Sequence, residues 1–486
     1  MKRGVIFRVL VFLLGIVALS MILPLILACF YGEPDMIRAF GFPIAAGLAV
    51  FFPTILFTRK RPVRFSAADG FLLVFLAWVF SCLLGAVPYC LSGHITSAAG
   101  AVFESVSGFT TTGATVIADV EDLPRSLLFW RAMTHWLGGM GIVVLTVALL
   151  PLLGAGAFQM NAAQLFQAES PGPENDKIVP RITGTAKMLW GCYTALTILQ
   201  ILLLAAGGMG WFDAAVHAFS TMATGGFSSR NAGIAAYNSP WAEWVCTVFM
   251  ILGGLNFTLF FQLLKGKYRN VLANSEARAY GGIILVSVII ITGAILPQSP
   301  SPGTAVRYAF FHTASILTTT GFAAADYNLW PPLAQGVLFF LMFIGGCSGS
   351  TAGGIKVIRY VALVKQTGSE MKKIIYPRGV FNIQLNGRSG KKEVIYGVAG
   401  FVFLYFVCIF AAALLVSSAG MDIFSSLNAA LLCLGNIGLG LGKLGPFSEV
   451  SAFPSYVKWG LSFIMILGRL ELWTVMVFFT RDYWRR

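Results

Sequence analysis

Apolar runs of membrane-crossing length follow one another along nearly the whole chain, separated by short polar connections. A helix needs about 20 apolar residues to cross a hydrocarbon core roughly 30 Å thick. Runs near 5–30 and 36–58 form an opening pair. A unit then recurs four times: a long run, a shorter amphipathic segment, a polar turn containing glycine, and a second long run. The first runs lie near 68–92, 184–207, 279–297 and 393–417, and the second near 126–150, 241–264, 332–364 and 455–480. The pattern predicts an all-α membrane protein with ten crossings: an N-terminal hairpin (1–65) and repeats at 66–182, 183–275, 276–391 and 392–486. A β-barrel is excluded, because its strands are ~10-residue segments of alternating polarity.

The repeat also shows at single positions, as internal periodicity should. The four turns are Thr110-Thr111-Thr112-Gly113, Ala223-Thr224-Gly225-Gly226, Thr318-Thr319-Thr320-Gly321 and Gly435-Asn436-Ile437-Gly438. Nine residues before the last glycine of each turn stand Glu104, His217, His312 and Ala429. An aromatic residue follows that glycine in two copies, Phe227 and Phe322. A second mark comes 24 to 30 residues later: Leu137-Gly138-Gly139, Leu252-Gly253-Gly254, Ile344-Gly345-Gly346 and Leu467-Gly468-Arg469.

Composition agrees with this reading. The chain is 57% hydrophobic and 11% charged, against roughly 25% charged residues in an ordinary soluble domain. The N-terminal run after Met1-Lys2-Arg3 is long and lacks a clear small-x-small cleavage site, so it reads as a retained span and not a signal peptide. The net charge of +14 gathers around Lys2–Arg8, Arg59–Arg64, Lys177–Lys187, Lys265–Arg278, Lys356–Lys392 and Arg481–Arg486. The alternate connections carry Glu33, Asp35, Asp119, Glu121 and Asp122 instead. This is the positive-inside distribution, which puts both termini in the cytoplasm and gives no reason to expect nucleic acid as a partner. The eight cysteines lie in or beside apolar runs without a C-x-x-C pair and read as small buried hydrophobes.

The amphipathic segments before the turns (96–110, 211–223, 304–318 and 421–434) are too short to cross a bilayer. They suit half-helices that enter, turn and return. Non-helical backbone at membrane depth is tolerated only when packed in protein or lining a water-filled path. A half-helix ending there directs its negative end at a cation, and the turn beyond it presents carbonyls that can replace a hydration shell. Glycine permits the φ > 0 such a turn requires. Glu104, His217 and His312 sit on these half-helices, where anchoring is a better reading than ion ligation.

These residues resemble the Trk/Ktr/HKT superfamily of potassium transporters, in particular its bacterial TrkH-type uptake subunits. TTTGAT, HAFSTMATGGFS, HTASILTTTGF, GNIGLGLG, GGCSGSTAGGIK (345–356) and GRLELWT (468–474) carry the resemblance, which covers essentially the whole chain. It implies one pseudo-fourfold pore per chain, K⁺ as the transported ion and no covalently bound cofactor. It also implies a homodimer in the bacterial inner membrane and a cytosolic nucleotide-binding partner of TrkA type. Backbone carbonyls of Thr111, Thr112, Gly113, Thr224, Gly225, Gly226, Thr319, Thr320, Gly321, Asn436, Ile437 and Gly438 would form the K⁺ filter. Glycine at all four final positions fits K⁺ over Na⁺; Gly225 and Ile437 in place of Thr imply an asymmetric, less selective filter.

Two features below the turns are candidate gates. The segment 345–354 holds Gly345, Gly346, Ser348, Gly349, Ser350, Thr351, Gly353 and Gly354, and glycine costs roughly 1 kcal/mol per residue in a helix. The resemblance makes it an intramembrane loop that occludes the path; a plain kink or a close helix crossing is the alternative. Arg469 replaces the second glycine of the mark in repeat four. An Arg at membrane depth costs about 2.5–3.5 kcal/mol on insertion scales, so it must face protein or water, and the resemblance places it in the pore as a cation barrier. A pair with Glu471 is disfavoured, because residues two apart on a helix diverge. The chain has no H-E-x-x-H, Walker A or paired-carboxylate motif, which argues against an enzyme. Nucleotide control must then come from the partner, for which the basic stretch from Lys365 to Lys392 is a docking candidate. Proton- or Na⁺-coupled symport with alternating access is the second functional reading; it predicts inverted repeats, whereas these share one orientation.

Overall fold

Six helices are long and apolar enough to cross a membrane among the residues that the computed structural model describes, and eight if each sharply bent pair is one span. Those residues are 3–57, 67–141, 182–379, 381, 384–385, 388–389, 392–445 and 453–485. Regular structure among them is helical apart from one two-residue hairpin, Gln384–Leu385 against Arg388–Ser389. The basic residues Arg59, Lys60, Arg61, Arg64, Lys177, Arg181 and Lys391 lie outside the described set, as does the end of the second run of repeat one beyond Gly141.

The first spans of the repeats are uninterrupted helices: Ala67–Leu91, Ile182–Ala206, Ser275–Ile295 and Lys392–Ser417. The second spans are not; the sequence predicts a break in repeat three alone, and the other three helices also stop at the glycine mark. Their helices are Arg125–Gly139, Pro240–Gly253, Pro332–Leu341 and Ser455–Arg469, each stopping at or just before the glycine mark. In repeat two the chain turns by 96° into Phe257–Leu263, and in repeat four by 116° into Leu472–Phe479. In repeat three it leaves the helix altogether for a loop and resumes at Val357–Ile375. Hydropathy reports only that residues are apolar; it is blind to a change of direction.

The mark stops the helices for a packing reason. A Cβ on Gly138 would stand 1.8 Å from the carbonyl oxygen of Phe109, and one on Gly468 would stand 2.0 Å from that of Leu434. The second spans of repeats one and four therefore lie backbone to backbone on the ends of their own half-helices, an approach open only to glycine, whereas in repeat three Gly345 packs on Gly353 of the following loop.

The half-helices are Ala98–Phe109, Trp211–Met222, Pro302–Leu317 and Ile423–Leu434. Twelve residues rise about 18 Å, half a membrane. Ser97, Ser301 and Asp422 cap three of them by accepting from Gly100 N–H, Thr304 N–H and Ser425 N–H. The second span of repeat one packs on its own half-helix and that of repeat two, and repeat two's packs likewise on its own and that of repeat three. Repeat three's second span meets the half-helix of repeat four through Phe339 and Phe424, ring centroids 5.9 Å apart, and repeat four's second span packs on its own half-helix and that of repeat one, which closes a circle. The opening pair is tied to this circle through Glu33, which accepts from Arg125 N–H at 2.8 Å and from the Ser126 hydroxyl.

Candidate ion pathway

Each half-helix ends in the same backbone motif. The residue after the C-cap turns left-handed at Thr111 (φ 55°), Thr224 (54°), Thr319 (56°) and Asn436 (52°). Its N–H bonds three residues back, to Gly108, Thr221, Ile316 and Cys433. The next N–H bonds five back, from Thr112 to Ser107, Gly225 to Ser220, Thr320 to Ser315 and Ile437 to Leu432. This is the Schellman arrangement, which satisfies carbonyls at a helix end. Glycine is its usual left-handed residue; a β-branched threonine there is an outlier and holds on the order of 1–3 kcal/mol of strain, of a kind that clusters at functional sites. Asn436, the type that tolerates φ > 0 best, occupies the fourth copy.

Two residues further on, Gly113, Gly226, Gly321 and Gly438 are left-handed again, with φ between 75° and 84°. Their surroundings form a ring. A Cβ on Gly113 would stand 2.1 Å from the oxygen of Gly225, on Gly226 2.1 Å from Thr320, on Gly321 2.1 Å from Ile437, and on Gly438 2.2 Å from Thr112. Each turn thus closes against the carbonyl that precedes the next turn's glycine, in cyclic order. The twelve candidate filter residues come together in this one ring. The four glycines border a cavity of about 310 Å³ that is also lined by Thr115, Arg131, Phe227, Arg230, Asn231 and Phe322.

Side chains on the half-helices hold the returning strands. Glu104 accepts from Val116 N–H at 3.0 Å and from the Thr115 hydroxyl, and pairs with buried Arg131 at 2.9 Å. His217 shares a hydrogen bond with the Ser228 hydroxyl at 2.9 Å, and His312 with the carbonyl of Ala325 at 3.2 Å. In repeat four the equivalent bond comes from Asn428, whose Oδ1 accepts from Leu441 N–H at 3.3 Å. The spacing of nine pointed to Ala429, a methyl group that can anchor nothing; the functional side chain is displaced by one residue.

At the rim of the cavity, Arg230 faces Glu121 at 3.4 Å and Asp213 at 3.9 Å, and Asn231 donates to Asp119 at 2.7 Å. The Asn231 amide, with the Glu121 N–H, lowers the Asp119 carboxyl below its ordinary range. Asp422 is held at about 2 by the Ser425 N–H and hydroxyl, with Lys443 beside it.

The segment 345–356 lies against the ring, where Gly353 meets Thr319 and Gly435. Gly345 N–H donates to Ile355 O and Val357 N–H to Gly346 O, so the segment 345–356 doubles back as a loop. Repeat two grips it: Cys347 N–H donates to Gly254 O at 2.8 Å, and the Thr351 hydroxyl to Met222 O and Gly253 O. Gly353 N–H donates 2.7 Å to the hydroxyl of Thr319, a turn residue, and a Cβ on Gly353 would meet Gly435 O at 2.4 Å. Ser350 closes on Cys347 O, Gly349 O accepts from Phe257 N–H, and Gly354 (φ 66°) packs on Gly345. Buried Glu276, which no sequence signal singled out, accepts from both limbs of the loop: Ser348 N–H at 2.7 Å and Ile358 N–H at 3.1 Å.

Arg469 reaches across to this loop. Its guanidinium donates to Thr351 O at 2.7 Å and to Gly138 O and Gly139 O, both at 2.6 Å. The last two are carbonyls at the C-terminal end of repeat one's second-span helix, where Gly138 O also accepts from Gly141 N–H, and a helix C-terminus attracts a cation. Glu471 pairs instead with Arg359, whose guanidinium also lies 3.8 Å over the Phe401 ring. The segment 345–354 and Arg469, predicted separately, therefore meet under the ring.

Comparison with known proteins gives a consistent picture. A family model described as TrkH, cation transport protein, matches residues 44–280 and 283–485. The chain is similar to the Trk system potassium uptake protein TrkH of Halomonas elongata (38% identical, covering 100% of both chains). It is also similar to the protein of the same name in Salmonella typhimurium (37%, covering 96% of each). The crystal structure of the potassium transporter TrkH from Vibrio parahaemolyticus superposes with a TM-score of 0.87 at 34% identity and 100% coverage of both chains.

Proposed function

Since the chain belongs to the TrkH family of cation transport proteins, we propose that it takes up K⁺ across a bacterial inner membrane by gated passage through its four-turn ring. The observation that carries this is the cyclic closure of Gly113, Gly226, Gly321 and Gly438 on one another's neighbouring carbonyls. Such a ring holds backbone oxygens at a fixed spacing, as replacement of a K⁺ hydration shell requires. The carbonyls of the twelve turn residues are its filter. The loop 345–354 and Arg469 are its closed gate: the loop fills the space beneath the ring, and the guanidinium adds a positive charge that opposes a cation.

The relatives' names place them in a Trk system, which supports a partner-controlled device. On this reading two chains pair, each with its own pore, and a cytosolic nucleotide-binding protein of TrkA type acts on the basic stretch after Lys365. Alternating-access symport is the weaker reading, because the four repeats surround one ring in a single orientation instead of forming inverted halves.

The test is Rb⁺ uptake by liposomes holding the purified protein, with K⁺ or Na⁺ as competitor. Uptake suppressed by K⁺ far more than by Na⁺ supports the proposal. Gly321→Ala, which drives a methyl group into Ile437 O, should abolish that preference; a preference left intact refutes the filter assignment.

A further inference from the structure

The second turn departs from its neighbours at Gly225, where repeats one and three have Thr112 and Thr320. The structure gives a local cause. A Cβ on Gly225 would stand 2.3 Å from Nδ1 of His135 and 2.5 Å from Cγ of the same ring. His135 belongs to the second span of repeat one, is fully buried, and has no well-formed hydrogen bond on either ring nitrogen. Its ring stacks on Phe227 with centroids 4.1 Å apart and planes 14° apart. One helical turn earlier, Arg131 also lies 4.1 Å from the Phe227 centroid. Two residues spaced i, i+4 on one span therefore bear on the residue that immediately follows Gly226, and one of them fills the space beside Gly225.

The chain supplies its own comparison. His135 stands three residues before the first glycine of its mark, and the same place in the other repeats holds Met250, Met342 and Met465, all buried. Three repeats have methionine there and one has histidine. Going round the circle, the turns that follow those spans carry Thr320, Ile437 and Thr112, each with a side chain, whereas the turn that follows His135 carries glycine. The two exceptions are adjacent in space. Methionine is flexible and adapts to a neighbouring side chain; a stacked imidazole is rigid and leaves no room for one.

We propose that His135 is the positioning residue for the second wall of the ring, and that the missing side chain at Gly225 is its steric counterpart. Ring and glycine act as a matched pair: His135 holds the strand through Phe227 and replaces the lateral support that a threonine gives elsewhere. In repeats one and three that support is visible as the Thr110–Thr112 and Thr318–Thr320 hydroxyl pairs, at 2.8 and 2.7 Å. This rests on the reading of the ring as a K⁺ filter.

The test restores the pattern of the other repeats in two steps, His135→Met and Gly225→Thr, singly and together. Each protein is reconstituted in liposomes, and Rb⁺ uptake is competed with K⁺ and with Na⁺. Gly225→Thr alone is expected to lower the K⁺ preference at least tenfold. His135→Met alone is expected to lower it several-fold with uptake retained. The double variant is expected to return to within about threefold of the unaltered protein, the non-additivity expected of contacting residues. A double variant no better than Gly225→Thr overturns the proposal, as does a His135→Met preference equal to the original. If Gly225→Thr does not fold, the rescue is read as yield of monodisperse protein, and equal failure of the double variant counts against the pairing. Absence of any K⁺ preference in the unaltered protein would instead remove the filter reading beneath it.

Discussion

Replacing Glu276 by Gln keeps the shape of the side chain and removes its charge. The carboxylate accepts from Ser348 N–H and Ile358 N–H through the same oxygen, at 2.7 and 3.1 Å, and is 2% exposed. It thereby joins the two limbs of the loop to the first span of repeat three. It also sits at the N-terminus of the Val357–Ile375 helix, where a negative charge is favoured. Hydrogen bonds to a charged group contribute about 1.5–3 kcal/mol and neutral ones about 0.5–1.5. Two bonds losing their charge thus weaken the closed arrangement by roughly 2–3 kcal/mol. At about 1.4 kcal/mol per tenfold, the released loop becomes about 30- to 150-fold more populated. The assay is Rb⁺ uptake into liposomes without any partner protein, where the closed gate should keep flux low. Glu276→Gln is expected to raise that basal flux at least tenfold with K⁺ preference unchanged, because the ring is untouched. Basal flux within twofold of the original, in protein that elutes and melts normally, would refute the clamp.

Arg469→Ala removes three charge-assisted bonds and the positive charge under the ring; basal Rb⁺ flux should rise about tenfold or more, equivalent to ~1.4 kcal/mol, and a fall or no change would count against the barrier. Glu104→Ala leaves Arg131 buried without its carboxylate and should lower stability by about 3–5 kcal/mol in denaturant titration; adding Arg131→Met should recover part of that loss, and a purely additive double variant would contradict the coupling. Asp422 titrates at about 2 in the folded protein, below its ordinary ~3.9. Its contribution is therefore fully present above about pH 4 and lost as pH falls toward 2. The melting midpoint should fall over that window by less in Asp422→Asn than in the unaltered protein, and equal falls would remove Asp422 as the cause.

The first spans and half-helices were legible because their signals are local: continuous hydropathy for one, short amphipathic segments ahead of glycine turns for the other. The helix Ala98–Phe109 lies within the predicted 96–110, and Trp211–Met222 within 211–223. The TrkH-type resemblance rested on the same local wording. What escaped detection depends on direction or on distant contact. Gly253-Gly254 reads as an apolar small pair whether the helix continues or turns by 96°. Strict spacing selected Ala429 where Asn428 makes the bond, because a one-residue slip is invisible without the returning strand. Arg359 finds Glu471 112 positions away, a partner that no local spacing identifies. Arg131 was the one such residue with a usable signal: a lone Arg in an apolar run needs a carboxylate, and Glu104 was already singled out. His135 carried no signal except against Met250, Met342 and Met465, a column that becomes meaningful only once the spans are seen to pack on the following turn.

The cyclic closure of the turns is made by one polypeptide, and this affects how the ring can change through inheritance. In a ring assembled from four copies of a short chain, one altered codon appears in all four walls at once, so every trial is a fourfold trial. Here a codon alters a single wall, while three unaltered neighbours keep the aperture usable. A residue such as Gly225 and its companion His135 could therefore arise stepwise, the first change surviving because it disturbs only a quarter of the perimeter. The same independence lets one wall end in an arginine and another lengthen into a loop. Division of labour among the walls is thus open to a concatenated ring and closed to an assembly of identical parts.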